Sequence, residues 1–394
     1  MKVLIADKLP EQYIKKLEEN GLEVVFNPKL GEADLYEAAK DADILVVRST
    51  VVNEKTILGS NKLNLIVRAG AGYNNINLPA ANKKGVYVAN CPGKNAIAVA
   101  ELAIGLMISL DRRIPHNVMD FKKGIWNKAE YSKAKGLFGK TIAIVGLGNI
   151  GKEVAKRANA MGMSVYGKDI SRIEGVAYKD FSEFDQVLPI ADVVSLHLPV
   201  TSQTKNLFNS KMFGYMKEGA IFINTSRAGV VDEDALIAAV KEKNLRVGLD
   251  VFADEPETKT GTVSSKLMEL DNVYVTHHIG ASTEQAQNAV AQETVNIILD
   301  YIKSGVIAHW VNKAKVTETV YQLAVKHYDK PGVLASILDV LREGDINIEE
   351  MENMIFEGGL VALCTMKLMS PATDEMLETI RNNPNVLTVS HVAI

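Results

Sequence analysis

Short apolar runs alternate along most of this chain with stretches long enough for an amphipathic helix, and few folds accommodate that pattern. The first set comprises VLIA at 3–6, EVVF at 23–26, DILVV at 43–47, NLIV at 64–67 and VYVA at 86–89. Strands separated by helices read as a parallel sheet covered on both faces, which is why the runs are apolar throughout rather than at every second residue. A second set begins at residue 141 with TIAIVG and continues through MSVYG, ADVVSLHLP, AIFINTS, RVGLDVF and NVYVTHH. A long helix over 95–113 lies between the sets and another, over 284–304, follows the second. Because the ends of such domains often lie close together, the later helix can return to complete the first sheet.

After residue 316 the order changes to strand, helix, strand, strand, helix, strand, a ferredoxin-like unit. HWVNKAKVTET reads as the linker before it. The chain is thus expected to be α/β: two doubly wound parallel-sheet domains of Rossmann or flavodoxin type and a smaller C-terminal unit. The expected divisions are 1–95 with 290–312, 96–289, and 317–394.

Charge and cysteine content restrict the functional classes. A net charge of -4 over 394 residues offers no general attraction to nucleic acid or anionic lipid, so neither is expected as a partner and any anionic ligand needs a few placed cations. Cys91 and Cys364 form no CxxC pair, so neither a disulfide framework nor a metal site is expected. The apolar stretch 96–110 contains Glu101 and is shorter than the roughly 20 residues that span a bilayer. The N-terminal apolar run is too short for the core of a signal peptide, and a cytoplasmic protein is expected.

The strongest local signal is TIAIVGLGNIGKEVAKRANAMGMSVYGKD. Gly146, Gly148 and Gly151 have the G-x-G-x-x-G spacing between a strand and a helix. The first glycine permits a tight turn, the second lets the backbone approach a pyrophosphate, and the third lets the helix pack close to the strand. Asp169, at the end of the next strand, is placed for an adenosine ribose, and its charge repels the 2'-phosphate of NADP. Lys168 and Arg172 stand beside it as cations able to offset that charge, so NAD is the expected cofactor with NADP as the alternative.

Residues that follow strands mark where an open parallel sheet holds its ligands. Arg48 and Arg68 follow the third and fourth runs, as substrate cations or as ordinary salt-bridge partners, with Lys128 as a further candidate. In the second set, FINTSRAGVVDEDAL, GLDVFADEP and VTHHIGASTEQAQ place Arg227, Glu255 and His278 beyond strand ends. Glu255 shares its loop with Asp254 and Glu257, and His277 adjoins His278. Hydride transfer at a carbinol carbon needs an acid–base group and, for an acid substrate, a cation.

The segments VRS at Arg48, RAGAGYNNI from Arg68, the glycine loop, HLP at 197–199, NTSRAGVVDE, LDVF with the following EP, and HIGAST from His278 together resemble the D-isomer-specific 2-hydroxyacid dehydrogenases. The resemblance implies that Arg227 holds the substrate carboxylate, that His278 exchanges the proton and that Glu255 pairs with its imidazole. It further implies cofactor contacts at Asn149, Ile150, Leu198, Thr225, Ser226, Asp250 and Gly280. The implied reaction is NAD-dependent oxidation of D-3-phosphoglycerate to 3-phosphohydroxypyruvate, the first step of serine biosynthesis, with Arg48 and Arg68 on the phosphorylated end. Reduction of hydroxypyruvate or glyoxylate, and a dinucleotide-sensing scaffold, are the competing expectations.

KHYDKPGVLASI followed by INI at 346–348 resembles an ACT domain, a ligand-sensing module that commonly pairs through its strands. This resemblance implies a serine effector at His327, Asp329 and Asn347, with a pairing module that binds nothing as the alternative. The helix over 96–110 is apolar around most of its circumference, and a homodimer or homotetramer is expected.

Overall fold

The computed structural model describes residues 1–170, 173–256, 261–314 and 321–394. The chain divides into two compact units, Met1–Asn312 and Lys313–Ile394.

The first unit contains two parallel sheets. One is built from β1 (Lys2–Ile5), β2 (Glu23–Phe26), β3 (Ile44–Val47), β4 (Leu65–Arg68) and β5 (Tyr87–Asn90), in the order β2-β1-β3-β4-β5. Alternate residues of β1, β3, β4 and β5 enter opposite cores. Val3, Ile5, Ile44, Val46, Leu65 and Val67 pack on one face. Leu4, Ala6, Leu45, Val47, Ile66 and Val88 pack on the other. Both faces are covered, which accounts for the unbroken apolar runs. The Glu284–Ser304 helix returns to this sheet, with Ala291, Val295, Ile297 and Ile298 in the same core as Val3 and Ile5.

The second sheet contains β6 (Thr141–Val145), β7 (Ser164–Lys168), β8 (Lys179–Asp180), β9 (Val193–Leu196), β10 (Ile221–Asn224), β11 (Arg246–Leu249) and β12 (Val273–Val275). Their order is β12-β11-β10-β9-β6-β7-β8, so the chain reverses direction across the sheet between β6 and β9. The Ala96–Arg112 helix buries Ala100, Ala103, Leu106, Met107 and Leu110 against Ile142, Ile144, Val193 and Ile223. The opposite face packs on Phe208, Phe213, Leu236 and Val240.

Two sequence expectations change here. The two-residue edge strand β8 has no apolar run to announce it. The linker reading does not hold for His309, Trp310, Val311 and Asn312, because Trp310 bridges to Ala89, and Val311 N–H donates to Val88 O at 2.8 Å. The later part of that stretch, 315–320, lies outside the described residues.

The second unit is a four-stranded antiparallel sheet of β13 (Tyr321–Tyr328), β14 (Ile348–Ile355), β15 (Val361–Leu368) and β16 (Val386–Ala393), in the order β14-β15-β13-β16. The Val333–Glu343 and Asp374–Arg381 helices cover one face through Ile337, Leu341, Leu377 and Ile380. No helix among the described residues is long and apolar enough to cross a membrane.

Candidate active site

The glycine loop joins β6 to the Asn149–Ala160 helix, and each glycine occupies a distinct environment. Gly146 has φ 91°, and a Cβ there would lie 2.5 Å from His197 O. A Cβ on Gly151 would lie 1.9 Å from Gly146 O, so any side chain would force the helix off the strand. Gly148 has open space on that side, the approach a pyrophosphate needs. The helix directs its unpaired amides the same way.

Asp169 binds this loop. Its Oδ2 accepts from Leu147 N–H at 2.5 Å and its Oδ1 from Ile170 N–H at 2.7 Å. A carboxylate has about four acceptor positions, so two are left for ribose hydroxyls. Lys168 does not offset the acid, because its ammonium is hydrogen-bonded to Ser182 O and lies 5.2 Å from the Phe184 ring centroid. Arg172 lies outside the described residues.

A cavity of about 750 Å³ runs from this loop along the carboxyl ends of the strands, past Ile150, Leu198, Thr225, Ser226, Asp250 and Gly280. His197 Nδ1 and Thr225 Oγ1, both from residues on its wall, are buried without a hydrogen-bond partner among the described residues. Such atoms cost about 1–3 kcal/mol each until something bonds them. The open side of Gly148, the acid beyond β7 and these orphaned atoms fit a dinucleotide.

Beside it lies a cavity of about 490 Å³ lined by Lys8, Arg48, Arg68, Arg227, Glu255 and His278, among others. Arg68, Arg227 and His278 line both cavities, so the three predicted residues lie where a ligand in one would meet a ligand in the other. Arg227 follows β10 in a turn fastened by Asn224, whose Oδ1 accepts from Ser226 N–H at 3.0 Å and whose Nδ2 donates to Arg227 O at 3.0 Å. Burial pushes the Arg227 guanidinium below its usual range, and Glu255 partly restores it. Arg68 is pushed down to about 10, first by burial and then by Arg227 and Arg48, and is still cationic at neutral pH. Both guanidiniums rest against glycines: a Cβ on Gly70 would lie 1.6 Å from Arg68 Nη1, and one on Gly72 2.1 Å from Arg227 Nη2.

His278, not His277, meets the acid, with Nδ1 2.7 Å from Glu255 Oε2. Glu255 Oε1 accepts from Phe252 N–H at 3.1 Å, which fixes the carboxylate, while Glu257 lies outside the described residues. The Glu255 bond raises the His278 pKa above its usual value against the opposing effect of burial. His197, by contrast, is pushed down to about 3 by burial and stays neutral, so it does not become an imidazolium at physiological pH. Of the histidines lining the two cavities, only His278 is hydrogen-bonded to a carboxylate.

Asp250 does more than the sequence reading gave it. It is buried, and its oxygens accept from Thr276 Oγ1 at 2.6 Å, Ile279 N–H at 2.9 Å and Gly280 N–H at 2.7 Å. Those donors flank His278, whose φ of 51° lies in the left-handed region that costs a non-glycine residue about 1–3 kcal/mol. Asp250 therefore fixes the strained turn that aims the imidazole, with one of about four acceptor positions left for a ligand amide. Asp7, unnoticed in the sequence, does the same on the first sheet. It accepts from the amides of Arg48, Ser49 and Thr50 at 2.7, 2.9 and 2.9 Å. Burial raises its pKa, and these bonds outweigh that effect, holding it below the usual carboxylate range.

Not every candidate is gathered. Lys128 opens a short exposed helix, Lys128–Tyr131, and lines neither cavity. In the C-terminal unit His327 is buried, with Nδ1 2.8 Å from Tyr328 O and Nε2 3.3 Å from Asn353 Oδ1. His327 pairs with Ala362, opposite Ile355, whereas Ile348, next to Asn347, pairs with Leu368, opposite Tyr321. At about 3.3 Å per residue Asn347 therefore lies roughly 20 Å along the sheet from His327 and Asp329, and one copy does not bring the three together.

Comparisons with known proteins agree with this geometry. Residues 104–280 match the model of the D-isomer specific 2-hydroxyacid dehydrogenase, NAD binding domain. The chain is 36% identical over 368 residues to the D-3-phosphoglycerate dehydrogenase of Methanocaldococcus jannaschii, covering 91% of this chain and 68% of that protein. It is 41% identical over 294 residues to the hydroxypyruvate reductase of Thermotoga maritima, covering 74% and 94%. The NAD+-bound 3-phosphoglycerate dehydrogenase of Entamoeba histolytica superposes with a TM-score of 0.67 at 30% identity, covering 80% of this chain and 99% of that one. Relatives of this extent, together with a dinucleotide loop beside an imidazole–carboxylate pair, place the chain in the D-isomer specific 2-hydroxyacid dehydrogenase family, as an NAD-dependent dehydrogenase.

Proposed function

We propose that the chain oxidises D-3-phosphoglycerate to 3-phosphohydroxypyruvate, the opening reaction of serine biosynthesis. The observation that carries this reading is the cavity beside His278, where Arg48 and Arg68 stand with Arg227 and where Glu255 is the only acid among the described residues of the wall. A simple 2-hydroxy acid needs one guanidinium; a phosphorylated one brings the charge to occupy the others.

Arg227 holds the carboxylate and orients the carbinol, with its forked donors matching both carboxylate oxygens. His278 Nε2 takes the hydroxyl proton while Glu255 stabilises the imidazolium through Nδ1. NAD, when bound, supplies the hydride acceptor. Asn149, Ile150, Leu198, Thr225, Ser226 and Gly280 wall its site, and Asp169 receives its ribose. In this reading residues 1–95 with 290–312 carry the cations for the phosphate, 96–289 carry the cofactor, and 317–394 respond to an effector.

Hydroxypyruvate reduction is the second reading, supported by the Thermotoga maritima relative. Steady-state assays with phosphorylated and unphosphorylated 2-hydroxy and 2-keto acids, with NAD and NADP, separate the two. The phosphorylated acid is expected to win in kcat/KM by two orders of magnitude or so, as about 3 kcal/mol of added ionic contact gives. Equal efficiencies would transfer the assignment to the reductase, and turnover of neither would leave a dinucleotide-sensing scaffold.

We further propose that serine binds between two copies. β14 is an edge strand with Met351, Met354 and Ile355 exposed, and antiparallel pairing with a second β14 carries the partner's Asn347 end towards His327 and Asp329. Val118, Met119, Phe121, Ile125, Trp126 and Phe138 of the first unit are exposed as well and suit its pairing. Serine at millimolar concentration should inhibit a chain that sediments as a dimer or tetramer. A monomer, or activity flat in serine, would overturn this part.

A further inference from the structure

We propose that Lys8 selects acids bearing a second anionic group, by presenting its ammonium to the end of the substrate remote from the reacting carbon. The inference deepens the phosphorylated-acid reading and rests on it.

Its first support is position. Lys8 follows β1, Arg48 follows β3 and Arg68 ends β4, and these three strands are successive neighbours in the sheet. The sheet changes winding direction between β1 and β3, and open parallel sheets hold ligands beyond their carboxyl ends at that point. Lys8 is thus where topology puts a ligand contact, although it was absent from the sequence candidates.

The second support is charge. The 490 Å³ cavity is lined by Lys8, Arg48, Arg68 and Arg227, against Glu255 as the one acid among its described residues, and Glu255 is engaged by His278. One substrate carboxylate neutralises one guanidinium. Among the described residues the remaining cations meet no other acid on the cavity wall, and the nearby Asp7 carboxylate offsets Arg68 only in part; the surplus suits a phosphate dianion and does not suit a hydroxymethyl or methyl group.

The third support is a difference in kind among the cations. Arg68 is packed against Gly70 and deeply placed, and the Arg48 backbone is clamped by Asp7. Lys8 is exposed and carries a flexible stem, so it can follow a phosphate at the cavity mouth as a point charge.

The test uses the full-length protein and the variants Lys8→Met, which keeps the apolar stem, and Lys8→Arg, which keeps the charge. The measured quantity is the ratio of kcat/KM for 3-phosphoglycerate to that for glycerate, at low and high salt. Lys8→Met should lower the ratio about tenfold, chiefly through KM for the phosphorylated acid. Lys8→Arg should restore most of it, and the salt dependence of the ratio should be weaker in Lys8→Met than in wild type. A wild-type preference that Lys8→Met leaves intact overturns the role of Lys8 while the phosphorylated-acid reading stands. A wild-type enzyme without any preference overturns that reading, and the role of Lys8 with it.

Discussion

His278→Asn should lower kcat for alcohol oxidation by about 10²- to 10⁴-fold, the usual contribution of a positioned acid–base group. Asparagine is the appropriate replacement because residue 278 has φ 51°, a conformation that asparagine tolerates better than alanine. The fold and the clamp from Asp250 are thereby kept, since Ile279 and Gly280 donate through their own amides. KM for NAD and thermal stability should change little. Kinetics within threefold of wild type would show that the proton leaves by another route.

The same site dictates the direction of the pH dependence. Hydrogen bonding to Glu255 raises the His278 pKa, so the protonated form persists to higher pH than in a free imidazole. Oxidation needs the neutral ring and should rise as pH passes upward through that value, while reduction needs the imidazolium and should fall over the same range. Glu255→Gln removes the carboxylate and leaves burial, with Arg227, to lower the pKa against Asp250, which moves the oxidation limb to lower pH. A limb that stays in place in Glu255→Gln would assign the titration to a different group.

The sequence disclosed most of the architecture because both parallel sheets are covered on two faces, which forces unbroken apolar runs such as 44–47 and 221–224. It disclosed the chemistry where a residue stands at or just beyond the end of a strand, as Arg48, Arg68 and Arg227 do. Lys8 stands in the same relation to the first run and was passed over, since a lone lysine after one strand carries no sign of which strands are neighbours. The role of Asp250 was equally hidden: its partners Thr276, Ile279 and Gly280 are set by the pairing of β11 with β12, a tertiary fact. Gly70 and Gly72 read as loop glycines until Arg68 and Arg227 are seen to occupy the space beside them. The effector residues failed to assemble within one copy for a related reason. A motif gives spacing along the chain, and only the antiparallel register shows that Asn347 and His327 lie at opposite ends of one sheet.

Arg227 should prove as sensitive as His278 but in a different kinetic constant. Its guanidinium is half-buried, fastened by the Nη1 bond to Ser226 O at 2.7 Å and seated against Gly72, so its forked face is preorganised for a carboxylate. Removing one partner of a desolvated charged pair costs about 2–5 kcal/mol, which predicts a loss of roughly 30- to 5000-fold in kcat/KM for Arg227→Ala. Arg227→Lys should recover only part of the loss, because an ammonium keeps the charge without the two parallel donors. It should regain affinity for the acid more than turnover, since a point charge attracts the carboxylate without fixing the carbinol over His278. NAD binding, measured by titration in the absence of acid, should change far less than kcat/KM in both variants, for the cofactor loop is anchored by Gly146, Gly151 and Asp169. Lysine restoring full kcat/KM would reduce Arg227 to a general electrostatic contribution, and an unaffected alanine variant would place the carboxylate on Arg48 or Arg68 instead.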